Sequence, residues 1–415
     1  MDHVVVVGAS LAGIRACETL RNDGHTGAIT LVGAERHRPY DRPPLSKKLL
    51  LGDWEPERVQ LRSNDALNAL NLTFKLGVVA TALSVANRTI TLGLPVVSDQ
   101  ANGDSQAISF DGLIIATGGF PRRLPQQPEL GGLHLLRTID DAIAIRKELQ
   151  PGTRVVVIGA GFIGLEVAAT ARQRDCDVEI LEGLAAPLLR VVGETIGQVI
   201  ARVHESHGVR IRCGVDVRRI IGSEVVSGVE LSNGIVVPAD VVIVGIGVEP
   251  ATHWLESCEL SLHDGVMCDA SLNVGVAGIY AAGDVARWPN ALFIPDEPTM
   301  RIEHWTNAAE QGAHAARNLL ATSRGEDAEP YISVPFFWSD QFEARIQFLG
   351  RATAEDEMKI VTGNEKSGKL VALYHRSNRL RGVLGISMPK AVMSCRSLLA
   401  ERATLSDAVA VINSL

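Results

Sequence analysis

The chain has 415 residues, of which 46% are hydrophobic and 21% charged, with a formal net charge of −8. That length accommodates two or three globular domains, and the negative balance argues against a role driven by neutralising nucleic-acid phosphates. Six cysteines with no Cys-x-x-Cys and no close cluster argue against a disulfide framework, a structural zinc or an iron–sulfur cluster, so no metal site is expected. At the N-terminus an apolar strand begins at Val4, which leaves no room for a secretion signal. No apolar run is long enough to span a bilayer, so a cytoplasmic protein without membrane association is expected. The strand 4–7 runs into Gly8-Ala9-Ser10-Leu11-Ala12-Gly13, then a helix, then a strand over 29–32 followed by Glu35. An apolar strand, glycines and a helix N-terminus form a pyrophosphate cradle, because the backbone approaches the ligand closely and free N–H groups face the anion. Ser10 stands where the usual pattern has its middle glycine. Glu35, near the end of the strand over 29–32, is either an acceptor for ribose hydroxyls or an ordinary solvated charge.

Tyr40-Asp41-Arg42-Pro43-Pro44-Leu45-Ser46-Lys47 follows, with two prolines flanked by cations. By composition alone it is a basic surface loop. Strands over 74–76, 82–85 and 89–92 suggest a small antiparallel excursion, and 96–107 reads as a loose hairpin loop. A strand over 110–116 ends at Thr117-Gly118-Gly119. A second βαβ unit over 154–182 carries Gly159-Ala160-Gly161-Phe162-Ile163-Gly164 and closes on Glu182. Here all three glycines are kept. A carboxylate at Glu182, with Gly183-Leu184-Ala185-Ala186 after it and no arginine, suits the free ribose diol of NADH and repels a 2′-phosphate. Two such turns in one chain suggest two dinucleotides. Further strands are expected over 209–213, 228–231 and 241–244. Tyr280-Ala281-Ala282-Gly283-Asp284 ends a third apolar approach, where Asp284 is either a turn residue or a holder of ribityl hydroxyls. A helix over about 308–320, a polar linker at 323–328, alternating strands and apolar helical spacing complete the chain.

Taken together, Gly8 to Gly13, Arg42-Pro43-Pro44-Leu45-Ser46-Lys47, Ala116-Thr117-Gly118, Gly159 to Glu166 and Ala281-Ala282-Gly283-Asp284-Val285 resemble the pyridine-nucleotide-disulfide oxidoreductase fold. With Arg301-Ile302-Glu303-His304-Trp305 and Pro335-Phe336-Phe337-Trp338-Ser339-Asp340-Gln341 the chain is similar, over its whole length, to the NADH-dependent ferredoxin reductases of oxygenase systems. The resemblance implies an α/β protein with two Rossmann-like dinucleotide-binding domains and a smaller α+β C-terminal domain. The expected division is 1–115 and 244–322 for FAD, 116–243 for NADH, and 323–415 for the C-terminal domain. It implies FAD at Gly8, Ala12, Gly13, Glu35, Arg42, Lys47, the backbone at Ala80, Thr117, Gly118, Arg137, Asp284 and Trp305. It implies NADH at Gly159, Gly161, Ile163, Gly164 and Glu182, with Gly247 near the nicotinamide. Lys47 and Glu166 are the expected catalytic ion pair. The implied activity is transfer of a hydride from NADH to FAD and of single electrons to a [2Fe–2S] ferredoxin that feeds a cytochrome P450 or a dioxygenase. An NADH oxidase, or a redox-sensing flavoprotein, is the alternative, and the protein is either a monomer or a homodimer. The disulfide reductases of this fold carry a redox cysteine pair, whereas Cys17 here has no partner nearby in sequence. Electrons are therefore expected to leave the flavin directly. Arg301, Arg345, Arg376, Arg379 and Arg381 are candidate docking residues for an acidic ferredoxin, against an ordinary solvated face.

Overall fold

The computed structural model describes residues 1–94, 106–366 and 368–415. Most of the loop expected over 96–107 lies outside them. The chain forms two compact units, each assembled from three separated stretches.

The first unit comprises Met1–Asp41, Gln60–Phe120 and Glu249–Pro335. Its main sheet is parallel, in the order Ile279–Ala281, Gly112–Ile115, His3–Val7, Ala28–Gly33, Thr73–Leu76. Val4, Val5 and Val6 are fully buried, which is why the strand shows no polar alternation: a parallel sheet is covered on both faces. Each such valine contributes about 1.5–3 kcal/mol of apolar burial. Leu11–Asn22 and Trp305–Ser323 pack closely, and a Cβ built on Gly312 would lie 2.2 Å from the Ala12 carbonyl oxygen. Val79–Ser84, Thr89–Gly93 and Gln106–Ser109 form an antiparallel sheet. The expected antiparallel excursion is thus corrected in one strand. Thr73–Leu76 pairs in parallel with Ala28–Gly33 and extends the main sheet.

The second unit comprises Arg42–Val59, Pro121–Val248 and Phe336–Leu415. Its parallel sheet runs Arg210–Cys213, Asp177–Glu182, Arg154–Ile158, Val241–Val244, Leu133–Leu135. The helices Phe162–Gln173 and Leu189–Ser206 and a small antiparallel sheet of Val217–Gly222, Val226–Leu231 and Val236–Pro238 belong to it. A five-stranded antiparallel sheet begins with Phe336–Gln341, and three short helices follow it. The last of these, Leu405–Asn413, starts in a reciprocal Thr404–Asp407 capping box. The α/β class and the α+β C-terminal part are those expected from the sequence.

Candidate functional site

In the first unit the parallel strands share one carboxyl end, so the turns that follow them converge: Val7 and Ala281 both stand in register with Ile115. Gly8, Thr117-Gly118 and Gly283-Asp284 therefore lie together, at the edge where open α/β sheets bind ligands. A Cβ on Gly13 would stand 1.9 Å from the Gly8 carbonyl oxygen, so only glycine lets the helix start this close to the turn. Gly283 brings the third turn onto Ala12, since a Cβ built on it would lie 3.1 Å from the Ala12 Cβ. Ser10 caps the helix with an extended backbone and no side-chain capping bond, which leaves the first N–H groups facing outward. Such a terminus fits a dinucleotide pyrophosphate. Glu35 follows the Ala28–Gly33 strand and accepts a hydrogen bond from the Tyr40 hydroxyl. Thr117 Oγ1 donates to the Ala251 carbonyl at 2.9 Å. The Trp305 indole donates to Asp41 at 2.7 Å, and Ala80 lies on the antiparallel sheet, packed against the core.

The second unit repeats the cradle. Ile158 stands in register with Leu181 and Val244, so Gly159, Glu182 and the Gly245–Gly247 turn meet at one sheet edge. A Cβ on Gly164 would lie 2.2 Å from the Gly159 carbonyl oxygen. Gly161 differs: a Cβ there would meet only the Gly245 carbonyl, at 3.9 Å, so its bareness opens the turn to a ligand. Glu182 accepts from the amides of Ala160 at 2.6 Å and Leu184 at 2.8 Å, one on each carboxylate oxygen. Each oxygen keeps a lone pair for a further donor. Arg210 and Arg212, on the neighbouring strand, are engaged by Glu179. Gly247 accepts from the Arg122 amide at 2.9 Å, and Ile163 is 40% exposed beside the turn.

A third arrangement lies within the second unit. Lys47 Nζ stands 2.6 Å from Glu166 Oε2, and the side chains are 18% and 7% exposed. Lys47 also donates to the Pro43 carbonyl at 3.0 Å, so the proline pair fixes the ammonium from behind. Ser46 Oγ donates to Glu166 Oε2 at 2.5 Å and Ser339 Oγ to Oε1 at 2.6 Å. Gln341 Nε2 donates to Ser339 Oγ at 3.1 Å, and His204 Nε2 lies 2.9 Å from Gln341 Oε1. Arg42 donates to the Arg137 carbonyl, and the Arg137 amide donates to Asp141 at 3.0 Å. Sequence reasoning does not reach Ser46, Ser339, Gln341 and His204 as site residues. The signal that marks two of them is Ser339 and Gln341, polar and two apart after a run of aromatics, hence on one strand face.

Of the five candidate docking arginines, the structure removes Arg381 from the surface and leaves Arg379 partly exposed. Arg381 is fully buried beside Asp356, Arg376 is paired with Asp356 and Glu355, and Arg301 is paired with Asp264 and Glu303. Arg345 pairs loosely, at 3.8 Å from Asp340, and is half exposed. All six cysteines are free thiols, and burial pushes those of Cys17 and Cys268 up to about 12.

Residues 2–312 match the family of the pyridine nucleotide-disulphide oxidoreductases, and residues 336–413 match the reductase C-terminal domain. The chain belongs to the pyridine nucleotide-disulphide oxidoreductase family. Among curated relatives, rhodocoxin reductase of Rhodococcus erythropolis is 34% identical, over 97% of this chain and 90% of that protein. A ferredoxin–NAD(P)(+) reductase of a Sphingomonas species is also 34% identical, over 91% and 87%. The crystal structure of the covalent putidaredoxin reductase–putidaredoxin complex superposes with a TM-score of 0.90 at 31% identity, covering 100% of this chain and 98% of that one. In sequence, the cysteine that follows the buried Cys17 is Cys176.

Proposed function

We propose that the protein is an FAD-dependent NADH:ferredoxin reductase whose [2Fe–2S] ferredoxin serves an oxygenase. The observation that carries this is the pair of steric cradles in one chain, joined to a reductase C-terminal domain. Relatives named as ferredoxin reductases, and a solved reductase–ferredoxin-type complex, support the partner. In this reading residues 1–115 and 244–322 serve FAD, 116–243 serve NADH, and 323–415 form the C-terminal domain.

FAD, when bound, accepts a hydride and gives up electrons one at a time. The chain's own groups bind and orient. The uncapped helix terminus after Ser10 holds the FAD pyrophosphate, Asp284 and Glu35 accept from its hydroxyls, and Arg42, Arg137, Ala80 and Trp305 complete the assigned contacts. The helix terminus after Gly161 holds the NADH pyrophosphate, Glu182 accepts from the ribose diol, and Ile163 and Gly247 flank the nucleotide. Lys47 supplies positive charge where negative charge develops on hydride acceptance, and Glu166 fixes that ammonium. Six free thiols suit a reducing compartment, and among the described residues no helix is long and apolar enough to cross a membrane; cytoplasmic location is part of the proposal.

The test is purification with FAD, comparison of kcat/KM for NADH and NADPH, and turnover with and without a small [2Fe–2S] ferredoxin. NADH preference and ferredoxin-dependent turnover support the reading. NADPH preference, or oxygen consumption matching NADH consumption with no gain from ferredoxin, refutes it in favour of an oxidase.

A further inference from the structure

The side chains behind Glu166 form a chain of one polarity. Gln341 Nε2, an amide N–H, donates to Ser339 Oγ at 3.1 Å, which leaves Gln341 Oε1 as acceptor. The ring nitrogen 2.9 Å from that oxygen, His204 Nε2, must then carry the hydrogen. Ser339 spends its own hydrogen on Glu166 Oε1. Every donor thus points the same way, from His204 on the helix Leu189–Ser206, through two residues of the strand Phe336–Gln341, to Glu166 on the helix Phe162–Gln173. His204, Gln341, Ser339 and Glu166 are all buried, and His204 Nδ1 has no hydrogen-bond partner. A bare buried Nδ1 is compatible with a neutral imidazole and costly for a cation. His207, one turn on, is the charged-group neighbour that acts on His204; it is stacked on Phe342 and is itself 3.1 Å from Glu343.

We propose that His204, Gln341 and Ser339 are positioning residues. They form a one-directional donor relay, anchored on a neutral imidazole, that aims the Glu166 carboxylate and so the Lys47 ammonium. Burial holding the imidazole down at about 4 accords with this. The Ser46 hydroxyl and Lys47 occupy Oε2, and the relay occupies Oε1, so the carboxylate cannot rotate without breaking one set. Polarised in series, such bonds strengthen one another. Without the relay, Glu166 concentrates its charge on Lys47 and leaves less positive charge for the reduced flavin. This rests on the flavoprotein reading above.

Two measurements test it. On holoenzyme labelled with 15N-histidine, the His204 ring should show the Nε2–H tautomer with a bare Nδ1 from pH 8 to pH 5.5. An Nδ1–H tautomer, or a cation at pH 6, would overturn the relay whatever the enzyme's activity. The flavin midpoint potential should fall in Gln341→Met and in Ser339→Ala, and neither change should move it in a Glu166→Gln background. His204→Gln, which keeps a donor, should hold the potential that His204→Phe loses. A Gln341→Met variant with a lowered melting temperature and an unmoved potential, or with the same shift in the Glu166→Gln background, refutes the positioning role. Protein that takes up no flavin would sink the proposed function, while the histidine spectrum would still decide the relay's polarity.

Discussion

Acidification should unload stability from the second unit through His204. In an unfolded chain the imidazole titrates near 6.5, while in the fold burial holds it down at about 4. The folded value lies below the unfolded one, so the unfolded chain takes up the proton first. The contribution of the neutral ring is therefore complete above pH 6.5 and is lost as pH falls towards 4. Linkage puts the loss at about 2 kcal/mol between pH 8 and pH 5, and at about 3 kcal/mol when titration is complete. For a body the size of this unit, at about 2–4 °C per kcal/mol, pH 5 should lower its melting temperature by about 4–8 °C through this residue. The assay is calorimetry of the holoenzyme and of His204→Gln from pH 8 to pH 5. The variant is less stable at pH 8, because it buries an amide in a ring-shaped site, but its pH slope should be shallower and the gap should close on acidification. Asp177 and Asp240, held low by hydrogen bonds from Arg210 and Arg154, titrate in both proteins and cancel in the comparison. A gap constant from pH 8 to pH 5 would refute the argument that this histidine is buried and neutral.

Gly164→Ala places a methyl group 2.2 Å from the Gly159 carbonyl oxygen, a strain of about 1–3 kcal/mol, and should raise the NADH KM at least ~10-fold with FAD content unchanged in absorbance. Lys47→Ala should slow flavin reduction by NADH in stopped flow by about 10²-fold, with NADH affinity changed little; an unchanged rate would make the Lys47–Glu166 pair merely structural. Brief treatment with N-ethylmaleimide at pH 8 should leave Cys17 and Cys268 unlabelled by mass spectrometry and ferredoxin reduction intact, since burial raises both thiols to about 12. Arg381→Met should cost about 3–5 kcal/mol by stranding part of a buried ion pair, measured by denaturant unfolding, while the KM for ferredoxin stays as it was.

Both cradles are legible in the sequence because their chemistry is local: strand, glycines and helix terminus occupy about ten consecutive residues in each case. Glu166 stands close to one of them, so the ion pair with Lys47 follows from the family pattern. What is illegible depends on partners distant in sequence. Thr73–Leu76 looks like its antiparallel neighbours, and only Ala28–Gly33 makes it parallel. Arg376 and Arg381 read as solvated charge because Asp356, which neutralises them, arrives from another strand connection. The relay is spread over a helix, a strand and a second helix, so no window of sequence contains it, although Ser339 and Gln341 share a face by strand periodicity.

The interleaving of the first unit has a cost during synthesis. Gly112–Ile115 acquires its outer neighbour only when Ile279–Ala281 has been made, and the Pro121–Val248 stretch of the second unit is translated in between. At ~5–20 residues per second the wait is roughly 10–30 s. Throughout it the nascent chain carries an apolar strand with one open hydrogen-bonding edge, a template for pairing with other chains. Yield in a heterologous host should therefore respond to chaperone supply and to slower, cooler expression more than to any single surface charge, and excising the first 120 residues as an independent module should give insoluble protein.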